Sequence, residues 1–328
     1  MREFNTQFLK ISLIIILFQF PSVCFSIEVK RSFIAWGTNL DFIVQSNKST
    51  EEIDNIINTV QKIPLSMNEI LNRNDNNSEL FLLNSLDPGI KMKISENLFF
   101  LIKQSIYFHE ISNGYFDITT ASLMPDADKG NRKCMGIDNL IIENLNQSII
   151  KKKKCTLIDL DGIAEGYVIK LMLEEFERLG VTDVLINFGG NISTLSKNNE
   201  WDISIKNPDF SYTINSVFKE FNNLSISTSS QYSKLLKYNN QAYSHITDPF
   251  EFGLKKKENI SISIISDNPI YADAMSTALQ AMPIELALEY LEKNSNIRAL
   301  ILKKMPDSDR TETLINSCLL YTSPSPRD

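Results

Sequence analysis

The stretch from Ala164 to Gly190 constrains the fold most. Apolar residues recur at helical spacing from Ala164 to Leu179, and Gly180 closes the run. Val184-Leu185-Ile186-Asn187-Phe188 then reads as a compact apolar strand running into Gly189-Gly190. A helix returned so soon to a buried strand belongs to a fold in which both share one core. The flanking text agrees. Ser49 to Ile63 carries Ile53, Ile56, Ile57 and Val60 at helical spacing. Ser95 is an N-cap candidate for a helix through Leu98, Leu101, Ile102 and Ile106 to Gly114. Cys155 to Ile158 reads as a strand before the third helix, and Trp201 to Ile205 and Asn259 to Ser266 alternate as strands. A last helix starts near Pro269, with Asp267 or Asn268 as cap, and reaches Met282 before Pro283. Without a strict βαβ rhythm or a linker, the expectation is α+β: a single compact domain, with a two-lobed arrangement as the variant.

Composition narrows the function. Of 328 residues, 43% are hydrophobic and 22% charged, which suits a globular chain with a sizeable core. A net charge of −7 supplies no basic footprint, so no nucleic-acid partner is expected. Cysteines stand only at 24, 134, 155 and 318, too few for a disulfide-built scaffold and without zinc spacing. Lys151–Lys154 and Lys255–Lys257 read as solvated turns.

The two ends are expected to lie outside the fold. Arg2, Lys10 and the apolar run Ile11 to Phe20 read as an export signal over residues 1–26, cleaved after Ser26. Alternatives make Cys24 a lipidated first residue or retain the segment as an anchor. The domain would span 27–317. Residues 318–328, from Cys318 to Asp328, read as translated sequencing adapter and not native protein.

Five segments carry chemistry, each with a plainer reading beside it. Tyr115-Phe116-Asp117-Ile118-Thr119 is a loop in which Asp117 could simply bind local amides. Asp159-Leu160-Asp161-Gly162-Ile163-Ala164-Glu165-Gly166-Tyr167 sets carboxylates and glycines at a helix mouth, suiting a phosphate or merely a capped helix. Asn187-Phe188-Gly189-Gly190-Asn191 allows close approach of a ligand, or an ordinary hairpin. Tyr243-Ser244-His245-Ile246-Thr247-Asp248-Pro249 holds one of only two histidines, a proton acceptor or a structural loop residue. His109 is assigned to packing or surface. Asp273 and Thr277 share a helix face at i and i+4, where a carboxylate and a hydroxyl can hold a hard cation such as Mg²⁺. The plainer reading has Asp273 favouring the helix start and Thr277 bonding back along the helix.

In order and content these segments resemble the FAD:protein FMN transferase (ApbE-like) family. Its motifs correspond here to Trp36-Gly37-Thr38, Ser78-Glu79-Leu80 with Asn84, Gly114 to Thr119, Asp159 to Tyr167, Asn187 to Gly190, Thr228-Ser229, Ser244 to Pro249 and Ala272 to Thr277. The resemblance implies Mg²⁺-dependent transfer of the FMN half of FAD onto a threonine hydroxyl of a flavoprotein, releasing AMP. Acceptors would be subunits of membrane electron-transport complexes, and the protein would be exported and periplasmic, or held at the inner membrane. Gly162, by its carbonyl, Asp273 and Thr277 would bind the metal. Trp36, Tyr115, Phe116, Asp117, Asp159, Glu165, Asn187, Gly189, Gly190 and Ile246 would line the FAD cleft, and His245 would be the base. The chain departs from the family pattern at Trp36 (usually Met), Asn74 (often a flavin-facing Tyr), Glu165 (more often Lys), Lys170 (usually Asp) and Ser230 (often Gly). An aromatic stretch expected after Thr119 is replaced by the short polar segment Met124 to Cys134. Rival readings are an FAD pyrophosphatase, a non-catalytic exported flavin-binding module, and an α+β protein with no flavin role.

Overall fold

The computed structural model describes residues 26–123, 132–197, 201–206, 213–216, 223–230, 235–238, 241–251, 253–256, 259–304 and 311–315. The signal segment, the stretch 124–131 and the tail from Cys318 lie outside them. The first half of the chain runs β1 Ile27–Ala35, β2 Thr38–Ser46, α1 Thr50–Val60, α2 Lys62–Leu71, α3 Glu79–Ser85, β3 Lys91–Lys93 and α4 Glu96–Ile111. Next come β4 Leu140–Glu143, β5 Ser148–Lys151, α5 Asp161–Arg178, β6 Asp183–Phe188, β7 Asn191–Ser196, β8 Ile203–Lys206 and β9 Thr213–Ser216. Then follow β10 Ser225–Ser230, β11 Leu235–Tyr238, β12 Gln241–Asp248, β13 Gly253–Lys256 and β14 Ile260–Ser266. The chain closes with α6 Pro269–Ala281, α7 Ile284–Lys293, β15 Arg298–Lys304 and β16 Thr311–Ile315. This is the expected α+β class.

An eight-stranded sheet, ordered β1-β2-β6-β7-β10-β14-β15-β16, forms the spine, with every neighbouring pair antiparallel. Period-two alternation assigns its faces. Val184, Ile186 and Phe188 of β6, with Ile260, Ile262 and Ile264 of β14, pack under the helices, while Leu185 and Ile265 join Trp201, Ile203, Leu224 and Leu300 on the other face. Val184 and Ile186 are wholly buried. Burial of a side chain of this size contributes about 1.5–3 kcal/mol. Helices α5 and α6 lie against each other and against the sheet, and β12 reaches α6 from the small sheet β11-β12-β13.

Local chemistry sets the helix ends. Ser49 and Glu52 form a reciprocal capping box on α1, Ser95 caps α4, and Asn68-containing α2 accommodates Pro64 in its first turn. Asn268 caps α6, with Pro269 at its first position. Three expectations need correction. Pro283 does not end the helical part but precedes α7, because proline fits a helix start. Residues 155–158 form no strand; their backbone groups are bonded by side chains instead, as described below. Lys151 is no solvated turn residue but is 0% exposed on β5, and Lys255 and Lys256 belong to β13. Cys134 and Cys155 form a disulfide, with Cα atoms 5.3 Å apart. Among the described residues, no helix is long and apolar enough to cross a membrane.

Candidate active site

Two tight turns meet at one end of the sheet. Trp36 and Gly37, with φ of +52° and +75°, join β1 to β2. A bulky residue rarely adopts positive φ, and Trp36 is held there by its indole N–H donating to the Pro64 carbonyl (2.9 Å) and by Phe188 (ring centroids 5.4 Å). Gly189 and Gly190, with φ of +64° and +101°, join β6 to β7. Both glycines supply the left-handed turn that a side chain would resist. A Cβ added to Gly189 would lie 3.0 Å from Glu165 Oε2 and 3.2 Å from Thr38 Cγ2. The two turns and the start of α5 therefore converge. Asn187 steadies the second turn, accepting from Gly190 N (3.1 Å) and donating to Asp41 Oδ2 (3.3 Å).

The centre of the site is the crossing of α5 and α6. A Cβ on Gly162 would sit 2.9 Å from Thr277 Cγ2, 3.2 Å from Thr277 Oγ1 and 3.3 Å from the Phe116 ring. One on Gly166 would sit 2.4 Å from the Pro269 carbonyl oxygen and 2.8 Å from Asp273 Cβ. Glycine at both positions lets the helices touch through their backbones. Gly166→Ala is expected to lower stability by about 1–3 kcal/mol through overpacking, read as a drop in melting temperature.

Asp273, 5% exposed, reaches across this crossing. Its Oδ2 accepts from Gly166 N at 2.8 Å, and its Oδ1 accepts from Ser227 Oγ at 3.2 Å and Asn191 Nδ2 at 3.4 Å. The same Asn191 amide donates to Glu165 Oε2 at 2.8 Å, so two carboxylates share one donor. Thr277 Oγ1 lies 3.3 Å from Ser229 Oγ. Asp273 thus reaches across to α5 and to the sheet strands β7 and β10. Among the described residues, no group of three His, Cys, Asp or Glu side chains could hold a metal ion. The expected donor set needs only one carboxylate.

The aromatic loop closes the other wall. Phe116 meets Gly162, and Tyr115 packs against Phe250 with centroids 4.7 Å apart and the rings tilted by 58°. Phe250 is 53% exposed and was not legible as a site residue; its signal is an aromatic just after Asp248-Pro249. Burial, with the nearby Asp248 and Glu251 charges, raises the Tyr115 pKa. Asp117 is buried and accepts from Thr119 N at 2.7 Å, with His109 Nδ1 3.8 Å away. Burial raises its pKa against these stabilising partners. The local-amide reading of Asp117 therefore describes its observed contacts. His109 joins the loop through Nδ1 and the Phe116 carbonyl at 3.0 Å.

Asp159 pairs with Arg73 at 2.9 Å and accepts from Asp161 N at 2.9 Å. Arg73 escaped the sequence reading because a lone arginine carries no pattern. Burial, then the neighbouring Asp161 charge, pushes the Asp159 pKa up to about 6 despite Arg73. The folded state therefore keeps a proton that the unfolded chain loses near pH 4, and stability falls as pH rises through 6. Asp159→Asn removes this dependence: relative to wild type, its stability is expected to improve by about 2 kcal/mol between pH 4 and pH 7, measured by denaturant unfolding at both pH values.

Ile246 is buried on β12, and Ser244 Oγ accepts from Ile246 N at 3.0 Å. His245 lies on the same strand and not in a loop; its side chain lies outside the described residues. A cavity of about 1050 Å³ opens at the opposite end of the sheet, lined by Ser196, Lys197, Asn268 and Arg298 among others, and contains none of the expected site residues.

A profile of the ApbE family matches residues 34–301. The chain belongs to the ApbE family. Relatives of this ApbE chain include the FAD:protein FMN transferase of Haemophilus influenzae, 24% identical over 289 residues and covering 79% of each chain. That of Treponema pallidum is 21% identical over 306 residues, covering 84% of each. Among solved structures, Flavin Transferase ApbE from Vibrio cholerae matches with a TM-score of 0.75 at 20% identity, covering 90% of this chain and 98% of that one. The ApbE fold is thus shared across nearly the whole of that structure.

Proposed function

We propose that this protein is an FAD:protein FMN transferase that moves FMN from FAD to a threonine hydroxyl of a flavoprotein, with Mg²⁺ as cofactor and AMP as product. The observation that carries this reading is the α5–α6 crossing, where Thr277 lies against Gly162 beside Phe116 and, one turn along, Asp273 accepts from Gly166 N. The donor set fits a hard cation, which prefers oxygen ligands and retains water and phosphate oxygens as the remainder. Asp273 has two oxygens with about four acceptor sites, and Gly166 N, Ser227 Oγ and Asn191 Nδ2 lie within hydrogen-bond distance of them. Gly166 N, one turn after Gly162 on α5, donates to Asp273 and so ties that carboxylate to the helix mouth. Gly162 by its carbonyl, Asp273 and Thr277 would hold magnesium, which supplies charge neutralisation on the diphosphate oxygens.

The remaining work falls to the chain itself. Tyr115 and Phe116 offer aromatic surface, and Trp36 lies at the adjoining turn. Asn187, Gly189 and Gly190 shape the wall. Asp117, Asp159, Glu165 and Ile246 complete the FAD contacts in this reading. The threonine oxygen forms a bond to the phosphorus of the FMN half as the bond to the AMP oxygen breaks. His245 takes the hydroxyl proton. The acceptor is a flavoprotein, and subunits of membrane electron-transport complexes are the class the family resemblance favours. We also infer export to an oxidising compartment, periplasmic or at the inner membrane; the Cys134–Cys155 disulfide supports it.

The test incubates the protein with FAD, Mg²⁺ and a candidate acceptor flavoprotein. Covalent flavin fluorescence on the acceptor together with AMP release is the expected result. Free FMN and AMP without labelling would replace this reading with a pyrophosphatase, and intact FAD with a binding module.

A further inference from the structure

The segment between the disulfide and α5 has no strand partner, yet its backbone is bonded residue by residue. Thr156 Oγ1 donates to the Cys134 carbonyl at 2.7 Å. Leu157 N donates to Ser122 Oγ at 2.8 Å. The Asn84 side chain closes both sides of Ile158, accepting from its N–H and donating to its carbonyl, each at 2.8 Å. Asp159 N donates to the Ile118 carbonyl at 2.8 Å. Beneath these contacts lies Lys151, 0% exposed. Its ammonium donates to the carbonyls of Asn84, Lys154 (3.3 Å) and Thr156 (3.1 Å). An ammonium has three donors, so all three are used inside the protein.

We propose that Lys151 is a positioning residue for the proposed flavin and metal site: its ammonium ties α3, the 152–156 turn and the approach to Gly162 into one body, and loss of its proton loosens that approach. The inference rests on the reading of Gly162 and Asp159 as site residues. The geometry explains why one charge has this reach. Lys151 fixes Asn84 through its carbonyl, Asn84 fixes Ile158 through its amide, and Ile158 is followed directly by Asp159 and the helix mouth. A neutral amine would keep two protons and leave one carbonyl without its donor. A buried acceptor left so costs stability locally rather than globally. The charged groups that act on Lys151 are Lys154 and Asp87, which are themselves paired at 2.8 Å. Burial, reinforced by the Lys154 charge and resisted by Asp87, pulls the Lys151 pKa down to about 8. The switch therefore falls in an accessible alkaline range.

The experiment has two arms. In the first, FAD binding with saturating Mg²⁺ is followed by flavin fluorescence from pH 6.5 to 9.5 in wild type and Lys151→Met. Wild type is expected to lose roughly tenfold in FAD affinity above pH 8, reversibly. The K151M variant, folded by its melting transition, is expected to be weak at every pH and to lack the alkaline limb. A limb that persists unchanged in K151M, or no limb in wild type, overturns the proposal. The second arm needs no variant and no ligand: amide hydrogen exchange over residues 155–163 of wild type, corrected for the chemical rate at each pH. Protection there is expected to fall at least tenfold between pH 7 and 9.5 while α1 stays protected. Constant protection overturns the proposal whether or not K151M folds. Wild type that binds no FAD at any pH would instead sink the functional reading, which the exchange arm does not require.

Discussion

Asp273→Ala is expected to abolish flavin transfer, by at least about 10³-fold, or roughly 4 kcal/mol of transition-state stabilisation. Two effects add at this side chain. The proposed cation loses its only carboxylate, and the crossing of α5 and α6 loses the side-chain acceptor for Gly166 N. Losing such a buried hydrogen bond costs about 1–3 kcal/mol of stability, so the melting temperature should fall as well. Asp273→Asn separates the two effects. It keeps the volume and one acceptor, and should restore much of the stability while activity stays lost and added Mg²⁺ fails to rescue. Transfer assays and thermal melts on both variants check this. A D273A protein that labels its acceptor at near wild-type rate would remove the metal from the mechanism.

The second large effect is expected at His245. A positioned base contributes about 10²–10⁴-fold. His245→Ala should lose that factor in transfer and keep FAD binding, because no metal contact is removed. The comparison with D273A is informative: one variant binds and does not react, the other does neither. Fluorescence titration with FAD, run beside the labelling assay, separates them. An H245A protein of undiminished activity would assign the proton to another group.

The two helices that make the site were legible because each carries its own punctuation. Asn268-Pro269 starts α6, and the glycines at 162 and 166 mark the face on which α5 meets it. The strand Asp183–Phe188 and the turn Gly189-Gly190 were legible for the same reason: apolar density followed by residues that tolerate positive φ. What escaped was whatever depends on partners distant in sequence. Nothing around Lys151 indicates that three carbonyls await its ammonium. Cys155 to Ile158 has the composition of a strand, and only the arrival of Asn84 and Ser122 shows that side chains take the place of a neighbouring strand. The Cys134–Cys155 bond joins two of four cysteines whose spacing follows no framework. Arg73 reaches the site from a segment that carries no motif of its own, and Phe250 stands one residue beyond the end of one.

In the large sheet, spatial order repeats chain order from the first strand to the last. No strand has to be threaded between two that are already paired. The sheet can therefore grow at one advancing edge while synthesis proceeds, each arrival finding its neighbour in place. The same rule makes the excursions between strands separable: a segment such as β11 to β13 can lengthen or change its chemistry without disturbing the register of the rest. Diversity in what such a protein recognises can accumulate there, on a frame that never needs to be rebuilt.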